Sequence, residues 1–174
     1  MVNTMKKILE LIAGFKKQGL IEDYAIGGAI AVLKWVEPFF TRDLDIFVTP
    51  AQGDKKKNLI DFSEIYKHLK EKGYDKWVGQ WIMIDGVPVE FIPADAGLAK
   101  EAVENAADTE YEGTKTKVIR PEYLIALLLV AGRKKDIIKI DMLLAQAGIN
   151  MKDLKEILFR YNLDEKFKPF IKNI

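Results

Sequence analysis

The chain has 174 residues, of which 49% are hydrophobic and 30% charged, as expected of a soluble globular protein with one domain or one domain and a small helical annex. It contains no cysteine and one histidine, His68, which excludes disulfides, thiolate metal sites, a cysteine nucleophile and His-rich metal clusters. The formal net charge of +1 conceals a division: zero over residues 1–93, −5 over 94–112 and +6 over 113–174.

In chain order, "TMKKILELIAGFKKQGL" sets Ile8, Leu11, Ile12 and Phe15 at helical spacing with lysines opposite, between a Thr4 cap and a Gly19 stop. "DYAIGG" reads as a short buried strand. "AIAVLKW" reads as a helix that starts at the glycines and ends before Pro38. "DLDIFVTP" is a strand closed by Pro50, "AQGDKKKN" a polar loop, and "DFSEIYKHLKEKGY" a helix running to Gly73 with His68 on its solvated face. "WIMIDGVPVEFI" is a hairpin turning at Asp85-Gly86, a dipeptide that favours a type I′ turn. "GLAKEAVENA" is a helix, and "TKTKVI" alternates and carries lysines as edge strands often do. Beyond Pro121, "PEYLIALLLVAG", "KKDIIKIDMLLAQAG" and "MKDLKEILFRYNL" read as helices. The layout is α/β over residues 1–120 and helical over 121–174.

No secretory signal pattern follows Lys6 and Lys7. The longest apolar run, from Tyr123, is far shorter than the ~20 residues of a membrane span. Both features predict a cytoplasmic protein without membrane association. The basic last third suits either a polyanion such as a nucleic acid or solvated helix faces.

Two features resist a core-packing explanation. Gly27-Gly28 lies where a strand hands over to a helix, which suits either an anion approaching bare backbone or a tight turn with close packing. Asp43 and Asp45 stand two apart on the predicted second strand, so their side chains share a face with Cβ atoms roughly 6–7 Å apart. That spacing suits carboxylates converging on a divalent cation, or a sheet edge with pairing to Arg42 and nearby lysines. Glu90, in the apolar strand "GVPVEFI", also needs a partner: the same cation, or a salt bridge to Arg42 or Arg133.

The order of these features, Gly27-Gly28 opening a helix, then "TRDLDIFV", then a carboxylate on a later strand, resembles the nucleotidyltransferases of the DNA polymerase β superfamily. The likeness covers roughly Tyr24 to Pro93 and points to the small stand-alone prokaryotic members, some of them toxin–antitoxin components. It implies a nucleotidyltransferase-like mixed sheet flanked by helices, with a C-terminal helical extension. By the same resemblance Gly27 and Gly28 would hold the triphosphate of an NTP. Asp43 and Asp45 would ligate Mg²⁺ or Mn²⁺, with Glu90 as third acid beside the attacking hydroxyl, and Arg42 or Lys34 would meet the phosphates. The implied partners are an NTP, a hydroxyl acceptor (nucleic acid, protein or small molecule) and a cognate protein. Two departures stand out: toxin-like relatives carry a lysine where Leu124–Leu129 is wholly apolar, and an acid where this chain has Lys139. They imply a second reading, a catalytically degenerate module that binds a nucleotide or a partner.

Overall fold

A computed structural model describes residues 2–51 and 62–171, with side chains from residue 4 onward. The polar loop expected at residues 51–58 lies outside the described residues from position 52 on, as does Asp61 at the start of the expected third helix.

Helix α1 (Val2–Lys17) buries Ile8, Ile12 and Phe15 of the expected stripe together with Leu9, while Leu11 is only partly buried. Strand β1 (Ile21–Ile26) follows and leads through Gly27 into α2 (Gly28–Val32). This helix is shorter than the sequence predicts. After Val32 the chain continues in turns closed by Lys34 N–H to the Ala31 carbonyl and Trp35 N–H to that of Val32, and the Trp35 indole donates to the Ile119 carbonyl at 3.1 Å. Strand β2 (Leu44–Pro50) and helix α3 (Ser63–Glu71) come next, then β3 (Trp77–Val78), β4 (Trp81–Ile84) and β5 (Val87–Pro93). Asp85 and Gly86 both take positive φ, 48° and 84°, as a type I′ hairpin requires. Helix α4 (Gly97–Glu104) precedes the hairpin β6 (Ala107–Tyr111) and β7 (Thr114–Val118). Four helices complete the chain: α5 (Pro121–Ala131), α6 (Lys134–Gln146), α7 (Met151–Arg160) and α8 (Asp164–Ile171).

The seven strands form one mixed sheet in the order β3-β4-β5-β2-β1-β7-β6. Pairs β2–β5 and β1–β7 are parallel and the others antiparallel. The 114–118 strand is therefore not an edge, contrary to its lysine-bearing pattern. It lies inside the sheet, where Lys117 meets Asp23 at 2.6 Å, and β6 takes the edge. The α/β class expected from the sequence, a mixed sheet flanked by helices, holds.

Alternation along the strands sends neighbouring residues to opposite faces. Leu44, Ile46 and Val48 point to one face, Asp45 and Phe47 to the other; all except Asp45 are buried. Helix α5 covers the Asp45 face and is apolar apart from Glu122 in its first turn, burying Leu124, Ile125, Ala126, Leu128 and Leu129 in the same core as α1 and β2. Among the described residues no helix is long and apolar enough to cross a membrane.

Candidate active site

Asp45 sits on β2 directly beside Glu90 on β5 in the parallel register, and strands in such a pair run about 4.8 Å apart. Asp43 precedes the first residue of β2 rather than lying within the strand, and accepts a hydrogen bond from the Thr41 hydroxyl at 3.2 Å. All three acids line one cleft of about 230 Å³ with Gly28, Gln80, Trp81 and Arg133. The sequence-predicted trio is thus brought together. Leu124, Leu127 and Leu128 of α5 form the facing apolar wall, so the segment that departs from the toxin-like pattern borders the acids.

Burial, then the negative charges of Asp43 and Glu90, raise the Asp45 carboxyl from 3.8 to about 6, against the pull of Arg133 and Lys139. Glu90 accepts from the Gln80 amide at 3.3 Å, and no arginine or lysine pairs with it among the described residues. The donors in the cleft are hard oxygens, which suits Mg²⁺ or Mn²⁺ over softer ions. Among the described residues no three His, Cys, Asp or Glu side chains are arranged to hold an ion by themselves. An ion here needs oxygens from water or substrate as well.

The glycine pair is shaped around Asp45. Gly27 N–H donates to the Asp45 carbonyl at 2.9 Å, and a Cβ on Gly27 would come within 2.3 Å of the Phe47 ring. Gly28 has φ +55°, and a Cβ there would stand 1.8 Å from Asp45 Oδ2. Close packing and an unusual backbone angle therefore explain both glycines within the protein alone.

The cations divide differently from expectation. Arg42 is exposed, with its guanidinium 5.1 Å from the Phe40 ring centroid, and does not line the cleft. Lys34 lines a separate groove. The side chains facing the acids come from the α5–α6 junction: Arg133 and Lys135 line the cleft. Arg133 is held by Asp136, a carboxylate only 1% exposed, through bonds of 2.7 and 3.3 Å, and Lys139 reaches the same carboxylate at 3.1 Å. These bonds and charges keep Asp136 below its ordinary value despite burial. His68 lies away from the site, on α3, with its ring edge-on to Phe15.

Gln80 and Trp81 escaped the sequence reading. They flank the cleft because the β3–β4 connection folds Gly79 back at φ +62°, and the Trp81 indole N–H is buried without a partner among the described residues. The "VGQW" string, a glycine between aromatic-bearing strands, was the available signal. Six cations of the basic last third are paired, Lys117 with Asp23, Arg120 with Asp153, Arg133 and Lys139 with Asp136, Arg160 with Glu101 and Lys168 with Glu165, while Lys115, Lys134, Lys135, Lys152, Lys155 and Lys166 form no ion pair among the described residues.

Residues 4–168 match the family described as "Nucleotidyl transferase of unknown function (DUF2204)". No curated protein matches by sequence. Among solved structures, an antigenic nucleotidyltransferase-like protein from Paracoccidioides brasiliensis is similar at a TM-score of 0.55 and 17% identity, over 98% of this chain and 93% of that one. The antibiotic-resistance factor ANT(2'')-Ia is similar at 0.56 and 13% identity, over 99% and 98%. The same factor in complex with adenylyl-2''-tobramycin gives 0.54 and 14%, over 93% and 97%. At these identities the likeness is one of fold.

Proposed function

From a chain that belongs to this nucleotidyl transferase family over residues 4–168, we propose Mg²⁺- or Mn²⁺-dependent transfer of a nucleoside monophosphate from an NTP to a hydroxyl acceptor. The observation that carries the reading is Asp45 held between Asp43 and Glu90, its carboxyl raised to about 6 by burial and by those two charges. A divalent cation relieves that repulsion.

In this reading Asp43 and Asp45 would hold the cation, which would supply positive charge beside the triphosphate; the acceptor oxygen bonds the α-phosphorus and pyrophosphate leaves. Glu90 stands beside the acceptor hydroxyl, oriented by the Gln80 amide, and accepts its proton. Gly28 borders the cleft beside Asp45, where the phosphates would approach, and Gly27 packs behind it against Phe47. Arg133, held by Asp136, adds positive charge beside them, a part for which the exposed Arg42 is less well situated. The apolar α5 wall keeps water from the reacting groups. The tobramycin adduct bound by ANT(2'')-Ia supports adenylyl transfer on this scaffold without naming the acceptor here.

Calorimetry with Mg-NTP tests the reading. Wild type is expected to bind, and Asp43→Asn with Asp45→Asn to lose the heat; equal heats from both proteins, or none from either, count against it.

One observation favours a second reading, a catalytically idle module that binds a nucleotide or a cognate partner protein. Arg133 and Lys139 are tied to Asp136, and α5 offers the cleft no lysine. Metal-dependent NTP transfer to RNA, protein or small-molecule acceptors, abolished by Glu90→Gln, would rule this module out.

A further inference from the structure

A second cavity, of about 380 Å³, opens on the opposite side of the sheet, within the range of ligand pockets though at its lower end. Ile26 pairs with Ile46 on one side and Val118 on the other, and Ile46 alternates with Asp45, so this groove and the acids occupy different faces. Its apolar lining includes Leu9, Ile26, Ile30 and Val118, brought together by α1, α2 and the inner strands. Thr116 also lines it: the residue is 6% exposed, and its hydroxyl has no hydrogen-bond partner among the described residues. A buried hydroxyl left unpaired is costly, so the position calls for a polar atom that the described residues do not supply. Lys34, exposed at the groove, forms no ion pair among the described residues. Glu110 also borders the groove, but its register opposite Lys115 turns its side chain to the other face.

We propose that this groove binds a small amphipathic carboxylate, with its apolar body between the helices and the sheet and its polar atoms met by Thr116 and Lys34. The apolar lining selects the body. Lys34, the one cation among the described lining residues, selects a carboxylate over an amine, and the Thr116 hydroxyl gains a partner. The inference does not depend on nucleotidyl transfer, because no lining residue belongs to the acid cleft.

The full chain is titrated with octanoate, octanol and octylamine by calorimetry and ligand-detected NMR. Octanoate is expected to bind saturably at one site, tighter than octanol, with octylamine weakest. Thr116→Val, which keeps the shape and removes the hydroxyl, should weaken octanoate about five-fold at an unchanged or raised melting temperature. Lys34→Gln should weaken octanoate and leave octanol unchanged, and Asp45→Asn should leave both unchanged. Absence of saturable octanoate binding, octylamine binding as tightly, or octanoate affinity surviving in a folded Thr116→Val overturns the proposal. If Thr116→Val does not fold, Lys34→Gln at the surface decides it, and equal octanoate affinity there also overturns it.

Discussion

Gly28 and Asp45 compete for one volume: a Cβ on Gly28 would lie 1.8 Å from Asp45 Oδ2 and 2.9 Å from Asp45 Cβ. At φ +55° an alanine would also carry backbone strain of about 1–2 kcal/mol. Gly28→Ala is therefore expected to cost about 2–4 kcal/mol in urea denaturation, strain and overlap together. Asp45→Ala removes the carboxylate but not its Cβ, so in that background the same change should cost about 1–2 kcal/mol less. Additive costs would show that the two side-chain positions do not meet.

The pH dependence of Asp45 follows from its raised carboxyl. The folded value is about 6 against an ordinary 3.8, so the unfolded chain ionises first. Between these values the folded state holds more protons, and stability falls as pH rises. Above about pH 6 the ionised, repelled Asp45 destabilises the fold by up to about 3 kcal/mol. Asp45→Asn should thus be more stable than wild type at pH 7 and equal to it near pH 3.5. Mg²⁺ should raise the melting temperature of wild type above pH 6 and leave Asp45→Asn unmoved. A variant less stable than wild type at pH 7 would contradict the repulsion.

Asp136 behaves in the opposite sense. Its folded value is lowered, so its stabilising contribution is present above the ordinary 3.8 and lost as pH falls through the folded value. Asp136→Asn should cost about 2–3 kcal/mol at pH 7, because Arg133 and the mostly buried Lys139 lose a charged acceptor. If transfer activity is established, the variant should lower it through a released Arg133, and Arg133→Ala should lower it by about 10- to 100-fold. Activity intact in Arg133→Ala would mean that its charge does not act on the reacting phosphates.

The sequence showed its elements where local chemistry and tertiary context agree. Helical spacing revealed α1, and Asp85-Gly86 announced its hairpin. The second hairpin turns through Glu112-Gly113 at φ 48° and 80°, the same geometry with a first residue that is a poor signal for it, so β6 went unseen. Its "ADTEY" also lacks apolar alternation because the edge strand has little to bury. Helix α8 contains Pro169, whose missing N–H argues for a break, yet Phe167 and Phe170 are buried and hold it. At the site, three acids that cannot all be satisfied by packing were readable from type and strand parity. The cations were not: Arg42 adjoins Asp43 in sequence yet does not line the cleft, while Arg133 arrives from a helix junction that strand parity says nothing about.

Glu101 on α4 ties the last helices to the rest of the chain. Its carboxylate accepts from the Tyr123 hydroxyl of α5 at 2.8 Å, from the Tyr161 hydroxyl beyond α7 at 2.5 Å, and from Arg160. Removing the acceptor leaves two tyrosine hydroxyls and a guanidinium to find other partners, so Glu101→Ala should cost about 2–4 kcal/mol in urea denaturation. Because α5 shares one core with α1 and β2, unfolding should remain a single transition in the variant as in wild type. A fragment ending at residue 120 would expose the apolar bed of α5, and it should lack dispersed amide NMR signals. A folded fragment, or two separate transitions in Glu101→Ala, would mean that residues 121–174 are an independent annex rather than part of the core that holds the cleft.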